Sequence, residues 1–339
     1  AQVIVGQRRG RLGSEASGEG LISPTPHPLL IGPMAKSWGF FWLWHCVAST
    51  LPAVTSANEA VKNVSIPTME IASGVHMPIL SIGTGGLESK AATTIVLDWL
   101  AINGQGVDTA FVYRNQDSVR EAIAKAGVPR SKLFITSKIP GCFLAKHFLE
   151  ADIRQLGLDY IDLLLIHSPR PSSGCKSTWE VLEEYHAKGV LKAIGVSNFN
   201  TRDLTSLLSS AKVVPAVNQI EHNVLHHDDE TISFCKAHNI TIEAYSPLGR
   251  SNHSGDIPGN QEIQAIAAKH KVSTYQVALK WILQHGHILT FQSSSKAHQQ
   301  VDAALFGFKL SPREMSKLDA LQEVSPTLRS EVLEATMVV

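Results

Sequence analysis

The chain has 339 residues and a formal net charge of zero, with 44% hydrophobic and 18% charged residues. That length supplies apolar material for one large α/β domain or two ordinary ones, and electrical neutrality argues against nucleic acid or an acidic membrane surface as the main partner. The fifteen histidines are scattered, without HExxH or Cys/His ligand spacing, so no metal is expected. Cys46, Cys142, Cys175 and Cys235 form no disulfide-scaffold pattern.

Residues 1–33 are rich in Gly, Ser, Pro and Arg, lack periodicity, and read as a disordered or non-native leader. From Met34 the character changes. Lys36 gives a charged start, Trp38–Trp44 an apolar core and Thr55–Ala57 a small-residue end, the pattern of a secretory signal peptide over 34–57. The run is too short for a stable membrane span; the alternative reading is a translated upstream region plus an apolar surface helix. Residues 58–67 read as a linker. Asn-x-Ser/Thr sequons at Asn63, Asn239 and Asn252 fit a secretory route, although Asn239 immediately precedes an expected buried strand. Localisation stands between the secretory pathway or ER lumen and the cytoplasm.

A regular pattern begins at residue 68. Met69–Ile71 and Met77–Leu80 flank Ser73-Gly74 and predict a β-hairpin. Strands are predicted at 79–83, 106–109, 133–137, 161–166, 191–195, 215–219, 240–244 and 287–291. Helices are predicted near 89–103, 116–126, 145–156, 177–188, 201–210, 228–238, 262–270, 274–285 and 297–304. Eight strands, each followed by helix, over roughly 250 residues predict a closed (β/α)8 TIM barrel rather than an open sheet. Gly83-Thr-Gly85-Gly86 lacks the third glycine of a dinucleotide fingerprint at the required spacing and reads as a tight turn.

In such a barrel the chemistry sits at the C-terminal ends of the strands. Asp108, Lys138 and His167 fall at or just past three of those ends, and Tyr113 in the loop after the first. Taken singly, each has a plain structural explanation: a capped or solvated residue at a strand end. Four chemically complementary residues delivered to one rim make an active-site expectation.

Longer motifs extend it. Gly106-Val-Asp108-Thr-Ala-x-x-Tyr113, Asp159–Pro169, Trp179-Glu-x-Leu-Glu183, Ile194–Phe199, Val217–Gln219 and Ala244–Gly249 together resemble the aldo-keto reductase family, over residues 68–325 with the spacing kept. Residues 326–339 are left as a C-terminal tail. The resemblance implies NAD(P)H-dependent reduction of aldehydes and ketones to alcohols. Tyr113 would be the general acid, Lys138 and Asp108 the pair that tunes it, and His167 the residue that orients the carbonyl. A cation beside Tyr113 would lower its pKa from about 10, while burial would raise it.

For the cofactor the resemblance implies Ser197, Asn198 and Gln219 at the carboxamide, Tyr245 stacked on the nicotinamide, and Ser246 and Leu248 at the pyrophosphate. The last strand departs from the family pattern. Gln292 stands where many members have Lys, His298 where they have Arg, and Asp302 where an Asn meets the adenine; Ser293 is kept, and Lys296 lies close enough to compensate. Losing two charged contacts to a 2′-phosphate would cost several kcal/mol at about 1.5–3 each. NADP(H) is therefore the first expectation and NAD(H) the alternative.

The short Ser168–Lys176 loop suggests a permissive pocket for small or medium aldehydes and ketones, with Cys142 and Phe143 as walls. Glu221-His-Asn223 departs from the family's usual turn. A monomer is expected. From a different class, the chain could be a reductase-like barrel serving as a cofactor-sensing regulatory subunit, as in potassium-channel β subunits; an intact set of four residues weighs against that.

Overall fold

The computed structural model describes residues 65–249 and 256–322. The leader, the signal-like segment, most of the linker, the C-terminal tail and the sequons at Asn63 and Asn252 lie outside them.

Eight parallel strands close into a barrel in the order β10-β3-β4-β5-β6-β7-β8-β9. They are β3 (Leu80–Gly83), β4 (Gly106–Asp108), β5 (Phe134–Ile139), β6 (Ile161–Ile166), β7 (Leu191–Ser197), β8 (Val217–Glu221), β9 (Thr241–Tyr245) and β10 (Ile288–Phe291). All are short; β6 (IDLLLI) and β10 (ILTF) are near-continuous apolar runs, as strands covered on both faces require, whereas β5 and β8 carry buried polar residues toward the cleft end. The seam between first and last strand is real pairing: Leu289, Thr290 and Phe291 register with Leu80, Ser81 and Ile82.

Ahead of the barrel, β1 (Thr68–Ala72) and β2 (Val75–Pro78) form the predicted hairpin, with Met69 opposite Met77 and Gly74 in the left-handed region at φ 72°. Its Ile71 and Met77 pack in one buried cluster with Phe134, Leu163, Leu165, Val217 and Ile288. Phe134, Val217 and Ile288 are the first residues of β5, β8 and β10, so the hairpin packs at the end opposite the predicted chemistry. Burying the Met77 side chain there contributes about 1.5–3 kcal/mol.

The outer ring consists of α1 (Ser89–Leu100), α2 (Gln116–Ala126), α3 (Ala145–Leu156), α4 (Cys175–Ala187), α5 (Thr201–Leu208), α6 (Asp229–Ala237), the single turn α7 (Asp256–Gly259), α8 (Gln261–His270), α9 (Thr274–Gln284), α10 (Lys296–Ala303) and α11 (Pro312–Asp319). Each long helix buries one stripe: in α1 the predicted face of Ile95, Val96, Trp99 and Leu100 is turned inward. Among the described residues no helix is long and apolar enough to cross a membrane.

The sequence reading missed the single turn α7 and two larger features. Helix α11 is one, although Ser311-Pro-Arg-Glu314 carries a helix-start signature; the Ser311 and Glu314 side chains form a reciprocal capping box with Pro312 in the first turn. The other is a disulfide between Cys142 and Cys175, whose Cα atoms are 4.5 Å apart, while Cys235 is a buried free thiol. A single bond across 33 residues leaves no spacing pattern to read.

Candidate active site

Strand register places the four predicted residues together. Asp108 is the last residue of β4, Lys138 the penultimate residue of β5, and His167 follows β6 directly, its N–H donating to Ile139 O at 2.9 Å. Tyr113 closes a 3-10 turn, Phe111–Tyr113, that stops when Arg114 enters the left-handed region at φ 57°. The Asn115 side chain then ties this turn to the neighbouring loop by donating to Thr84 O (2.7 Å) and Leu87 O (3.0 Å). A Cβ at Gly85 would lie 3.1 Å from the Tyr113 ring, so glycine there lets the loop pass closely over the phenol.

Lys138 is fully buried, and each of its three ammonium protons has an acceptor. Nζ donates to Asp108 Oδ1 at 2.6 Å, to Thr109 O at 3.0 Å and to Tyr113 Oη at 3.4 Å. Burial alone would push the ammonium pKa down. Asp108 above all, with Tyr113 and Glu243, overcomes that and raises it well above a free lysine. The lysine is thus a permanent cation.

Burial pushes the Tyr113 phenol pKa up, and this outweighs the lowering by Lys138; Asp108 and Glu243 push it up further. The lysine alone therefore does not make Tyr113 a strong acid. A fixed cation at this distance can stabilise a tyrosinate. Because Lys138 donates to Oη, the phenol's own proton is free to point elsewhere.

The His167 ring meets the Tyr113 ring edge-on, centroids 5.6 Å apart. Burial, then Lys138, lowers its pKa to about 4. It is a neutral imidazole at physiological pH and can donate one N–H bond without adding charge.

These residues sit at the floor of a cleft of about 750 Å³. Asp108, Tyr113, His167, Ser197, Asn198, Gln219, Tyr245, Ser246, Leu248 and Gln292 all line it. Asn198, held at φ 61°, donates to His167 O and to Ser197 Oγ, and accepts from the Tyr245 hydroxyl at 2.9 Å. Ser197 Oγ donates to Gln219 O at 2.9 Å. Ser246 and Gly249 both take positive φ in the loop after β9, a fold-back that turns backbone toward the cleft.

Three predicted cofactor residues are not part of that lining. Ser293 Oγ donates to Ser295 O, His298 is exposed on α10, and Asp302 is buried beneath the same helix, where desolvation raises its pKa to about 6. Cys142 and Phe143 do not line the cleft either; Phe143 borders a separate surface groove. Gln292 does more than stand in for a lysine, since Nε2 donates to Gly85 O at 2.8 Å and bridges the loops after β10 and β3. The departed turn at Glu221–Asn223 is a tight one, with Asn223 and His226 exchanging backbone hydrogen bonds at 2.8 and 3.0 Å and Asn223 Nδ2 donating to Ser246 O.

A nicotinamide dinucleotide suits this donor set. Amide and hydroxyl groups converge beside a phenol and a neutral imidazole in a cleft that Gly83, Gly85 and Gly249 also line. The sequence reading missed Glu243, a buried carboxyl that Gln219 Nε2 bonds at 2.8 Å while also donating to Asp108 Oδ2 at 2.9 Å. Its signal was a lone acid in the apolar run Ile240–Tyr245.

Comparison with known proteins gives the family. The model of the "Aldo/keto reductase family" matches residues 80–323. Glyoxal reductase of Bacillus subtilis (strain 168) is 37% identical over 262 residues, 76% of this chain and 93% of its own. The crystal structure of an aldo/keto reductase from Brucella melitensis superposes with a TM-score of 0.72 at 31% identity, covering 76% of this chain and all of that one. That of a Bombyx mori aldo-keto reductase in complex with NADP gives 0.71 at 29%, covering 77% and 94%.

Proposed function

The chain belongs to the aldo/keto reductase family, and on that premise we propose that it reduces small or medium aldehydes and ketones to alcohols with Tyr113 as the proton donor. The observation that carries this reading is the closed set of bonds around Lys138, which leaves the Tyr113 proton as the one aimed at a reacting oxygen.

A nicotinamide bound in the cleft would supply the hydride that none of these side chains can donate. Ser197, Asn198 and Gln219 would hold its carboxamide and Tyr245 its ring face. The side chains do the rest. His167 Nε2 or Nδ1 donates to the carbonyl oxygen and fixes which face is presented. Tyr113 Oη then gives its proton to the same oxygen as negative charge develops there, and Lys138, held by Asp108, stabilises the resulting tyrosinate. Solvent returns the proton afterwards.

For the cofactor we favour NADP(H), on family grounds and because the Bombyx mori relative was solved with NADP. Gln292, in the cleft, and His298, exposed on α10, carry less positive charge than the usual pair, so the margin over NAD(H) should be narrow. The test is to follow oxidation of NADPH and NADH separately with an aromatic aldehyde. Turnover is expected with both, faster with NADPH; no turnover with either, across several aldehydes and ketones, sinks the reading.

A further inference from the structure

The barrel interior holds a second acid that the reaction above does not use. Glu243, on β9, is completely buried. It registers directly with Gln219 on β8 and with Ile288 on β10. Its Oε2 accepts from Gln219 Nε2 at 2.8 Å, and Oε1 has no partner among the described residues. The same Gln219 nitrogen donates to Asp108 Oδ2 at 2.9 Å, and Asp108 Oδ1 accepts from Lys138 at 2.6 Å. One continuous chain of contacts therefore runs from Glu243 through Gln219, Asp108 and Lys138 to Tyr113.

The groups that act on Glu243 are few. Asp108 on β4 and Lys138 on β5 are charged, and Tyr113 can ionise; the adjacent strands contribute only Gln219 and Ile288 beside it. The Lys138 charge is already matched by Asp108. An ionised Glu243 would be a second, unmatched negative charge in a fully buried position, which is costly.

We propose that Glu243 is a positioning residue for the reduction: as a neutral acid it fixes Gln219 against Asp108, and as an anion it opposes the tyrosinate that Tyr113 must become. This deepens the reductase reading and rests on it. Burial first, and then Asp108, raises the Glu243 pKa to about 8, against smaller lowering by Gln219 and Lys138. The acid is thus neutral at pH 7 and ionises in mildly alkaline solution. Tyr113, whose own pKa stands above 10, keeps its proton through that range, so the two ionisations separate. A nearby anion that shifts the phenol by one pKa unit changes the driving force about tenfold.

The experiment compares wild type with Glu243→Gln, which keeps the acceptor for Gln219 but cannot ionise, and with Glu243→Met as a second neutral variant should Gln fail to fold. In the wild type, kcat/KM for aldehyde reduction should fall up to about tenfold between pH 6.5 and 9.5 through a midpoint near 8. In Glu243→Gln that limb should flatten to about twofold. The second readout needs no turnover: the infrared carbonyl stretch of a protonated carboxylic acid should titrate near pH 8 in wild type and be missing from the variant. An alkaline limb identical in both proteins overturns the proposal. So does an infrared difference showing Glu243 ionised at pH 7, and because that measurement is independent of activity it condemns this inference without touching the reductase reading.

Discussion

Lys138 offers three protons and finds three acceptors, and its fixed charge makes the site more than a collection of polar residues. Replacing it with methionine removes the stabilisation of tyrosinate and leaves Asp108 buried without its cation. Lys138→Met should lower kcat by about 10²–10⁴, more than it changes cofactor affinity measured by quenching of protein fluorescence. His167 gives a prediction of opposite kind. Its folded pKa of about 4 lies below the usual 6.5, so the ring stays neutral as pH falls through 6.5 and charges only near 4. The pH profile of reduction should therefore show no limb from His167 between pH 5 and 8, checked by comparing wild type with His167→Gln over that range. At the rim, Gln292→Lys would restore one cation near a 2′-phosphate. Binding titrations should show NADPH affinity rising roughly tenfold or more, at about 1.5–3 kcal/mol for one charged hydrogen bond, with NADH little changed. The four candidate positions were legible in the sequence because Asp108, Lys138 and His167 end apolar runs and Tyr113 follows the first of them by five residues. Glu243 and the double use of Gln219 were not, because they depend on which strands become neighbours across the barrel.

Among elements, the loops that follow β5 and β6 depart directly from Lys138 and His167, and Cys142–Cys175 staples them together. Cys142 N–H also donates to Arg170 O at 2.9 Å, so backbone and covalent links reinforce each other. Closing a loop of this length restricts the unfolded chain by about 3–4 kcal/mol. Denaturant unfolding with and without reductant should differ by that order, and mass spectrometry of the native protein should find Cys235 as a free thiol. Equal stability in both conditions would show that the bond does not form or contributes nothing. Strand and helix positions were legible to within two or three residues, since period and length fix them. The disulfide was not, because proximity of two loops comes from the closed barrel. Helix α11 was missed for another reason: its stripe is short, and it is held mainly by polar contacts. Trp281 Nε1 donates to Asp319 at 2.7 Å, and Lys269 pairs with Glu314 at 2.6 Å.

The whole molecule carries buried titratable groups of two kinds, and they act in opposite directions. His167, His222 and His287 have lowered pKa values, mainly from burial. The unfolded chain therefore takes up protons first, and stability is lost as pH falls below about 6.5. Glu243, Asp152 and Asp302 have raised values, about 8, 7 and 6 respectively, again mainly from burial. Their contribution is full below the unfolded carboxyl value near 4 and is lost as pH rises through 6 to 8. Below pH 6 the two sets largely cancel; between 6.5 and 8.5 only the carboxyls still change. Stability should thus fall by about 2 kcal/mol across that interval, read as a drop in thermal midpoint, and Glu243→Gln should remove most of the drop. Barrel closure sets a separate demand. Gly195 lies on β7 where a Cβ would meet Val217 O at 2.6 Å and Leu165 Cδ2 at 2.7 Å. Gly195→Ala should cost about 1–3 kcal/mol by overpacking.

The reductase account stands most directly on one substitution. Tyr113→Phe keeps the ring against His167 and Gly85 but removes the hydroxyl that Lys138 bonds and that is to deliver the proton. With NADPH bound and an aldehyde in excess, single-turnover oxidation of the nicotinamide should slow by about 10²–10⁴, while NADPH binding stays within a few-fold of wild type. A Tyr113→Phe enzyme that turns over at nearly the wild-type rate would contradict the account.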